Sequence, residues 1–159
     1  MCKPVESSAT LVALRPSAAD PVAAPHDPAA IAVAAADCEL SFAELDRWSN
    51  RVARMLLRLG ARPGTRVAIV GTPRLESMVA REAVTKTGAA LIAVGTESST
   101  ARADFVITTK EGRERLTALS GSTASGWLVL DELATLVQYL TGSDAPITDA
   151  DRQLARKAS

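Results

Sequence analysis

The stretch "LSFAELDRWSNRVARMLLRLG", Leu40 to Gly60, predicts an amphipathic helix with both ends marked. Ser41 and Glu44 have the spacing of a capping box, in which the hydroxyl accepts an early backbone N–H and the glutamate reaches back to the cap. Gly60 ends the helix, because a left-handed residue is favoured there. Apolar residues recur at steps of three and four and so share one face: Phe42, Leu45, Trp48, Val52, Met55, Leu56 and Leu59.

Stretches typical of strands and helices alternate on both sides of this helix. Residues 30–36 are predicted as a strand, followed by Asp37-Cys38-Glu39 as the turn into the helix. This order is typical of an α/β layered sandwich, in which helices flank a mostly parallel sheet. Further strands are predicted at 65–71, 89–95, 103–109 and 126–132, and further helices at 73–88, 110–121 and 133–142.

One connection does not fit this alternation. Only about nine residues, "GTESSTARA", separate the strands at 91–94 and 105–108. A parallel crossover normally needs about a dozen residues or more. The two strands are therefore either antiparallel neighbours or joined by an unusual bridge, and their pairing stays open.

The distribution of proline predicts the domain organisation. Five of the eight prolines lie within residues 1–28, which predicts an extended or mobile arm rich in proline and alanine. Residues 29–142 are predicted to form a single α/β domain. Residues 143–159 are predicted to form a polar C-terminal tail with room for one extra turn.

The composition excludes several classes of function. Eighteen basic and eighteen acidic residues cancel, so neither nucleic acid nor an anionic membrane is expected as a general partner. Cys2 and Cys38 are too few for a disulfide framework or a metal-ligand cluster, so we expect no metal site and a reduced, cytoplasmic setting. The longest apolar run is eight residues, far short of the roughly 20 that span a bilayer.

The best candidate site is the turn Val70–Arg74, "VGTPR", which leads from a strand into a helix. Open parallel sheets bind ligands at the carboxyl ends of their strands. Gly71, Thr72 and Arg74 are therefore candidates for contact with an anion or a nucleotide. The alternative is an ordinary strand–helix connection with a solvated arginine, and the same two interpretations apply to residues 108–110.

Other polar residues are interpreted as structural. The loop Leu119–Trp127 has the composition of a phosphate-binding loop, but it lacks lysine and leads directly into a strand. His26 is the only histidine and lies in the arm, so the domain offers no Ser–His or Cys–His pair for nucleophilic chemistry. Asp131 and Glu132 are predicted to favour the dipole at the start of the last helix.

Three stretches carry a resemblance to a known family. Residues 39–71, residues 84–94, and residues 103–116 together with 126–133 resemble the N-terminal subdomain of adenylate-forming ligases, a superfamily that includes acyl-CoA synthetases, luciferases and the adenylation domains of nonribosomal peptide synthetases. The second stretch contains the family's Gly-Ala element, here "TGAALIAV". After it the family usually carries a Pro-Leu-Asp-Pro-like turn and another helix, whereas this chain has the short "GTESSTARA".

The resemblance implies a scaffold and no catalytic residue, because the matched region precedes the family's phosphate-binding loop, ribose-binding aspartate and catalytic lysine. We expect a truncated relative that is not catalytic alone and acts by binding or assembling with a ligase remainder, a full-length ligase, a carrier protein or itself. One alternative is a scaffold piece of a split or oligomeric ligase that activates carboxylates with ATP. A third is a small nucleotide-binding module. ATP, AMP and Mg²⁺ are expected only in a complete assembly.

Overall fold

A parallel sheet with helices on both faces organises this computed structural model, which describes residues 27–35, 38–94, 97–120 and 124–157. Its four strands lie in the order β4-β3-β5-β6, and β1 and β2 pair separately as an antiparallel hairpin. The predicted α/β class is therefore confirmed. In chain order the elements are β1 (Ile31–Ala35), β2 (Cys38–Ser41), α1 (Phe42–Arg58), β3 (Arg66–Ile69), α2 (Arg74–Thr87), β4 (Ala90–Val94), a 3₁₀ helix (Glu97–Arg102), β5 (Phe105–Thr108), α3 (Lys110–Ser120), β6 (Gly126–Val129), α4 (Leu133–Thr141) and α5 (Asp149–Lys157).

The strand order shows how the two strands joined by the short connection after β4 are paired. Strands β4 and β5 both pair in parallel with β3, on its two opposite sides. They are therefore not antiparallel neighbours, and the alternative of an unusual bridge is the correct one. The bridge is the 3₁₀ helix, which carries the chain from one side of β3 to the other.

The hairpin before α1 differs from the sequence prediction. Cys38–Ser41 forms a second strand that pairs with β1, where a turn over residues 37–39 is predicted. Leu40 is fully buried, so this short strand contributes to the core although Glu39 beside it is charged.

Helix α1 has the predicted ends. The backbone N–H of Glu44 donates to Ser41 Oγ at 3.3 Å, and the N–H of Ser41 donates to Glu44 Oε2 at 3.0 Å, which confirms the capping box. Gly60 follows the C-terminus with a φ of 97°, in the left-handed region where glycine is favoured. Most of the face predicted to be apolar packs inward, with Val52, Met55 and Leu56 buried, whereas Leu59 at its end is 43% exposed.

The sheet is buried on both faces because the side chains of β3 alternate between two apolar clusters. Val67 and Ile69 face the cluster formed with α1 and α2. Ala68 and Val70 face the opposite cluster, which α3 covers with Leu116. Burial on both faces explains why these strands are continuous apolar runs.

Residues 143–157, predicted as a polar tail, run along α1 and α2. The guanidinium of Arg54 donates to the carbonyl oxygens of Ser143, Ala145 and Pro146 at 3.2, 2.6 and 3.2 Å. It also lies 3.6 Å from the carboxylate of Asp151. Arg152 Nε donates to a carbonyl oxygen of α2 at 2.9 Å, so α5 is attached to both helices.

An ion pair at the start of β3 makes stability depend on pH. The backbone N–H and guanidinium of Arg66 donate to Asp104 at 2.8 to 3.3 Å, and these hydrogen bonds lower the pKa of Asp104 below its ordinary value of 3.8. A lowered pKa in the folded state stabilises the fold above the unfolded pKa, and this stabilisation is lost as the pH falls through the folded pKa. We expect Asp104→Asn to reduce the free energy of unfolding at about pH 7, and to reduce it by less at about pH 2.5, measured by urea unfolding.

The control for this prediction is Glu82→Gln, which removes one exposed negative charge from α2. It should leave the pH dependence of unfolding close to that of wild type. An Asp104→Asn variant whose deficit is the same at both pH values would contradict the assignment.

Candidate functional site

The strand order creates a topological switch point between β3 and β5. From β3 the chain moves to β4 on one side of the sheet, and from β5 it moves to β6 on the other. Ligands of open parallel sheets bind outside the carboxyl ends of the strands at such a point. The two turns singled out in the sequence, Val70–Arg74 and residues 108–110, leave the sheet here side by side.

The two turns fill the space between them with their own atoms. Thr109 Oγ1 donates to the carbonyl oxygen of Gly71 at 3.1 Å. A Cβ on Gly71, which has a φ of 64°, would lie 3.2 Å from the Cα of Gly112 in the first turn of α3. A Cβ on Gly112 would lie 2.2 Å from Thr108 Oγ1. The crevice at the switch point is therefore closed by backbone packed against backbone.

The candidate anion-binding residues lie at the rim of this closed crevice. The hydroxyl of Thr72 hydrogen-bonds to the hydroxyl of Ser77 in α2. Arg74 is exposed at the first residue of α2, and the N-cap residue Pro73 offers no side-chain hydrogen bond. Within the described part of the chain, no ion pair involves Arg74. The assignment of Gly71, Thr72 and Arg74 to an anion or nucleotide stays a prediction.

An apolar cavity of about 510 Å³ lies at the same edge of the sheet, between α1, α2 and α4. Its polar rim includes the carboxylates of Glu76 and Asp131 and the hydroxyl of Thr109. Such a surface favours an apolar occupant and disfavours a free phosphate, which the two carboxylates would repel. The apolar walls are formed by Trp48, Val52, Met55, Leu75, Val79, Leu130, Leu136 and Tyr139.

Tyr139 is an uncharged part of that wall. Burial raises the pKa of its phenol, although the positive charge of Arg51 acts in the opposite direction. The guanidinium carbon of Arg51 lies 5.5 Å from the centre of the tyrosine ring, within the range of a cation–π contact. The phenol therefore remains neutral near pH 7 and contributes an aromatic surface to the cavity.

Two contacts between distant parts of the chain were not predicted from the sequence. Asp131 Oδ1 accepts the backbone N–H of Lys110 at 2.7 Å, so this acid caps α3. Glu132 is the N-cap residue of α4 and makes no side-chain cap, so the predicted effect of these two acids on the dipole of α4 stays a prediction. Lys86 Nζ donates to Asp46 Oδ1 at 2.6 Å and to Asn50 Oδ1 at 2.8 Å, and joins α2 to α1. A single sequence carries no signal for either long-range contact.

Some predicted features lie outside the described residues, namely residues 1–26 of the predicted arm, with Cys2 and His26, and residues 121–123 of the loop Leu119–Trp127. Within the described ranges, no group of three or more His, Cys, Asp or Glu residues is placed to hold a metal ion. Among the helices of those ranges, none has the length and apolar character to cross a bilayer.

Comparison with known proteins identifies the family. A family model described as AMP-binding enzyme matches residues 21–154. This chain belongs to the AMP-binding enzyme family. A nonribosomal peptide synthetase of Aspergillus hancockii is 43% identical over 65 residues, which are 41% of this chain and 5% of that protein. The resemblance to adenylate-forming ligases found in the sequence is therefore confirmed.

Solved structures of the AMP-binding family share the fold. The anthranilate CoA ligase AuaEII, in complex with anthranoyl-AMP, is similar with a TM-score of 0.62 at 21% identity, over 76% of this chain and 27% of that chain. The nonribosomal peptide synthetase FmoA3, in an α-methyl-L-serine-AMP bound form, is similar with a TM-score of 0.59 at 28% identity, over 76% and 14%. The chain thus spans 27% of the anthranilate CoA ligase and 5% of the Aspergillus hancockii synthetase.

The close approach of Gly112 to Thr108 gives a test of the closed crevice. Gly112→Ala should destabilise the fold by about 1 kcal/mol, because overpacking of about 1–3 kcal/mol exceeds the gain of up to about 1 kcal/mol in helix propensity. Urea unfolding measures the change. The double variant Thr108→Ala/Gly112→Ala should lose less than the two single losses added together, because the hydroxyl that clashes is gone. A more stable Gly112→Ala variant would contradict the geometry.

Proposed function

We propose that this chain is a scaffold unit of an AMP-binding ligase, which does not adenylate by itself and acts by binding the protein segments that complete such an enzyme. The observation that supports this most is the family match over residues 21–154, in a chain that spans 27% of a solved ligase of the same fold.

The carboxyl edge of the sheet supports a scaffold role. Adenylation requires the phosphates, the ribose and the carboxylate to be held together against preorganised donors and cations. At this edge the hydroxyls of Thr72 and Thr109 are hydrogen-bonded within the protein. The cavity beside them carries the carboxylates of Glu76 and Asp131 at its rim. The two hydroxyls hold the turns in place. The two carboxylates would repel the phosphates of a triphosphate.

The exposed apolar side chains support a role in protein binding. Leu133 and Leu140 are 73 and 72% exposed, and both are on α4. Large exposed apolar surfaces mark places where another protein surface packs. A ligase remainder or a full-length AMP-binding protein is the partner that the family membership favours.

A second candidate function is carboxylate activation by the assembled complex. Two similar structures hold acyl-AMP or aminoacyl-AMP products, namely anthranoyl-AMP and α-methyl-L-serine-AMP. In such a reaction a carboxylate oxygen bonds to the α-phosphorus of ATP and pyrophosphate leaves. This chain would supply scaffold to the complex, and the substrate-binding groups would come from the completing segments.

The test has two measurements on the 159-residue chain. Incubated with ATP, Mg²⁺ and a panel of carboxylic and amino acids, the chain alone should show no pyrophosphate exchange above a heat-denatured control. A tagged chain should recover a protein of the AMP-binding family from the lysate of its native host, identified by mass spectrometry. Adenylate formation by the chain alone would overturn the first part. Recovery of the bait alone and as a monomer would overturn the second.

A further inference from the structure

We propose that the outward face of α4, with the cavity beside it, is the surface on which the completing segment of the ligase docks. This inference rests on the proposed function and names the surface that performs it. The α4 stripe is defined here as Leu133, Leu136, Val137 and Leu140.

Helix α4 has its apolar residues on the outside. Its nine residues, "LATLVQYLT", include no charged side chain and none that is buried. Surface helices normally turn the apolar stripe toward the core, whereas the side chains of α4 that approach the protein are Thr135 and Tyr139. The four residues of the α4 stripe have the spacing of one helix face, and they are 73, 44, 51 and 72% exposed.

The α4 stripe continues into the apolar cavity. Leu136 belongs to both, and beyond it the cavity reaches Leu75 on α2 and Leu130 after β6. A flat helix face beside a half-open apolar cavity is suited to a protein surface that lies on the helix and inserts an apolar side chain. Glu76 and Asp131 at the rim favour a lysine or arginine at the edge of that partner surface.

The described C-terminal part of the chain does not cover the α4 stripe. After α4 the chain turns onto α1, where Arg54 binds the carbonyl oxygens of residues 143, 145 and 146. Arg152 then anchors α5 to α2. Residues 143–157 are therefore not the occupant. In the solved anthranilate CoA ligase, 73% of the polypeptide lies outside the part matched here, which supplies a partner of the required kind.

The test compares two outward-facing substitutions on α4 with a matched one elsewhere. Leu133→Glu/Leu140→Glu places two charges on the α4 stripe, at positions that are exposed in the isolated unit and leave its folding unchanged by circular dichroism. Leu119→Glu is the control, because Leu119 is 65% exposed on α3. Each variant is titrated with the AMP-binding protein that the wild-type chain recovers, expressed and purified.

We expect the double variant to bind at least tenfold more weakly than wild type and the Leu119→Glu variant to bind within about twofold. In the wild-type complex the backbone amides of α4 should also exchange hydrogen more slowly than in the free chain.

Equal binding by the double variant would overturn the docking surface and leave the proposed function standing. A double variant that loses only self-association would assign the α4 stripe to a second copy and overturn this inference. If the wild-type chain recovers no AMP-binding protein, the proposed function fails first, and this inference fails with it.

Discussion

The packing of α1 against α2, in the apolar cluster on one face of the sheet, is the interaction on which most of the structure depends. Leu56 and Ala53 are fully enclosed along this contact, and the capping box at Ser41 joins the helix directly to the hairpin before it. On the same helix Asn50, and Arg54 one turn later, donate hydrogen bonds to the C-terminal segment. Its remaining side provides Trp48, Val52 and Met55 to the cavity. One helix thus serves the core, the C-terminal segment and the candidate binding surface.

The sequence predicted the features that local chemistry determines. Helix α1 could be placed because its cap, its apolar period and its terminal glycine all lie within one stretch. Strand β2 was missed because four residues with a charge among them carry little periodicity, and its burial depends on the pairing with β1. The strand order was left open because no local signal says which strands are neighbours. The dozen-residue rule for parallel neighbours does not apply to strands that lie on two sides of a third.

In the candidate site, too, the positions of residues along the chain could be predicted, whereas their packing could not. Gly71 and Thr109 were predicted at the carboxyl ends of strands, and both lie there. Their contact, and the approach of Gly112 that closes the crevice, depend on the packing of α3 and could not be foreseen. The cavity needs side chains from three helices and three turns, so no single motif predicts it. Asp131 was assigned to the helix that follows it because sequence proximity was the only guide, whereas the sheet places it beside the start of α3.

The attachment of the C-terminal segment has a consequence for how this molecule tolerates change. Arg54 binds main-chain oxygens at residues 143, 145 and 146, and every amino acid presents such an oxygen. The identity of those residues is therefore nearly free to drift over evolutionary time, while insertions or deletions between α4 and α5 would shift the oxygens out of reach. Selection on this segment acts on its length and path more than on its composition. An alignment of relatives would record it as variable, although the fold holds it firmly.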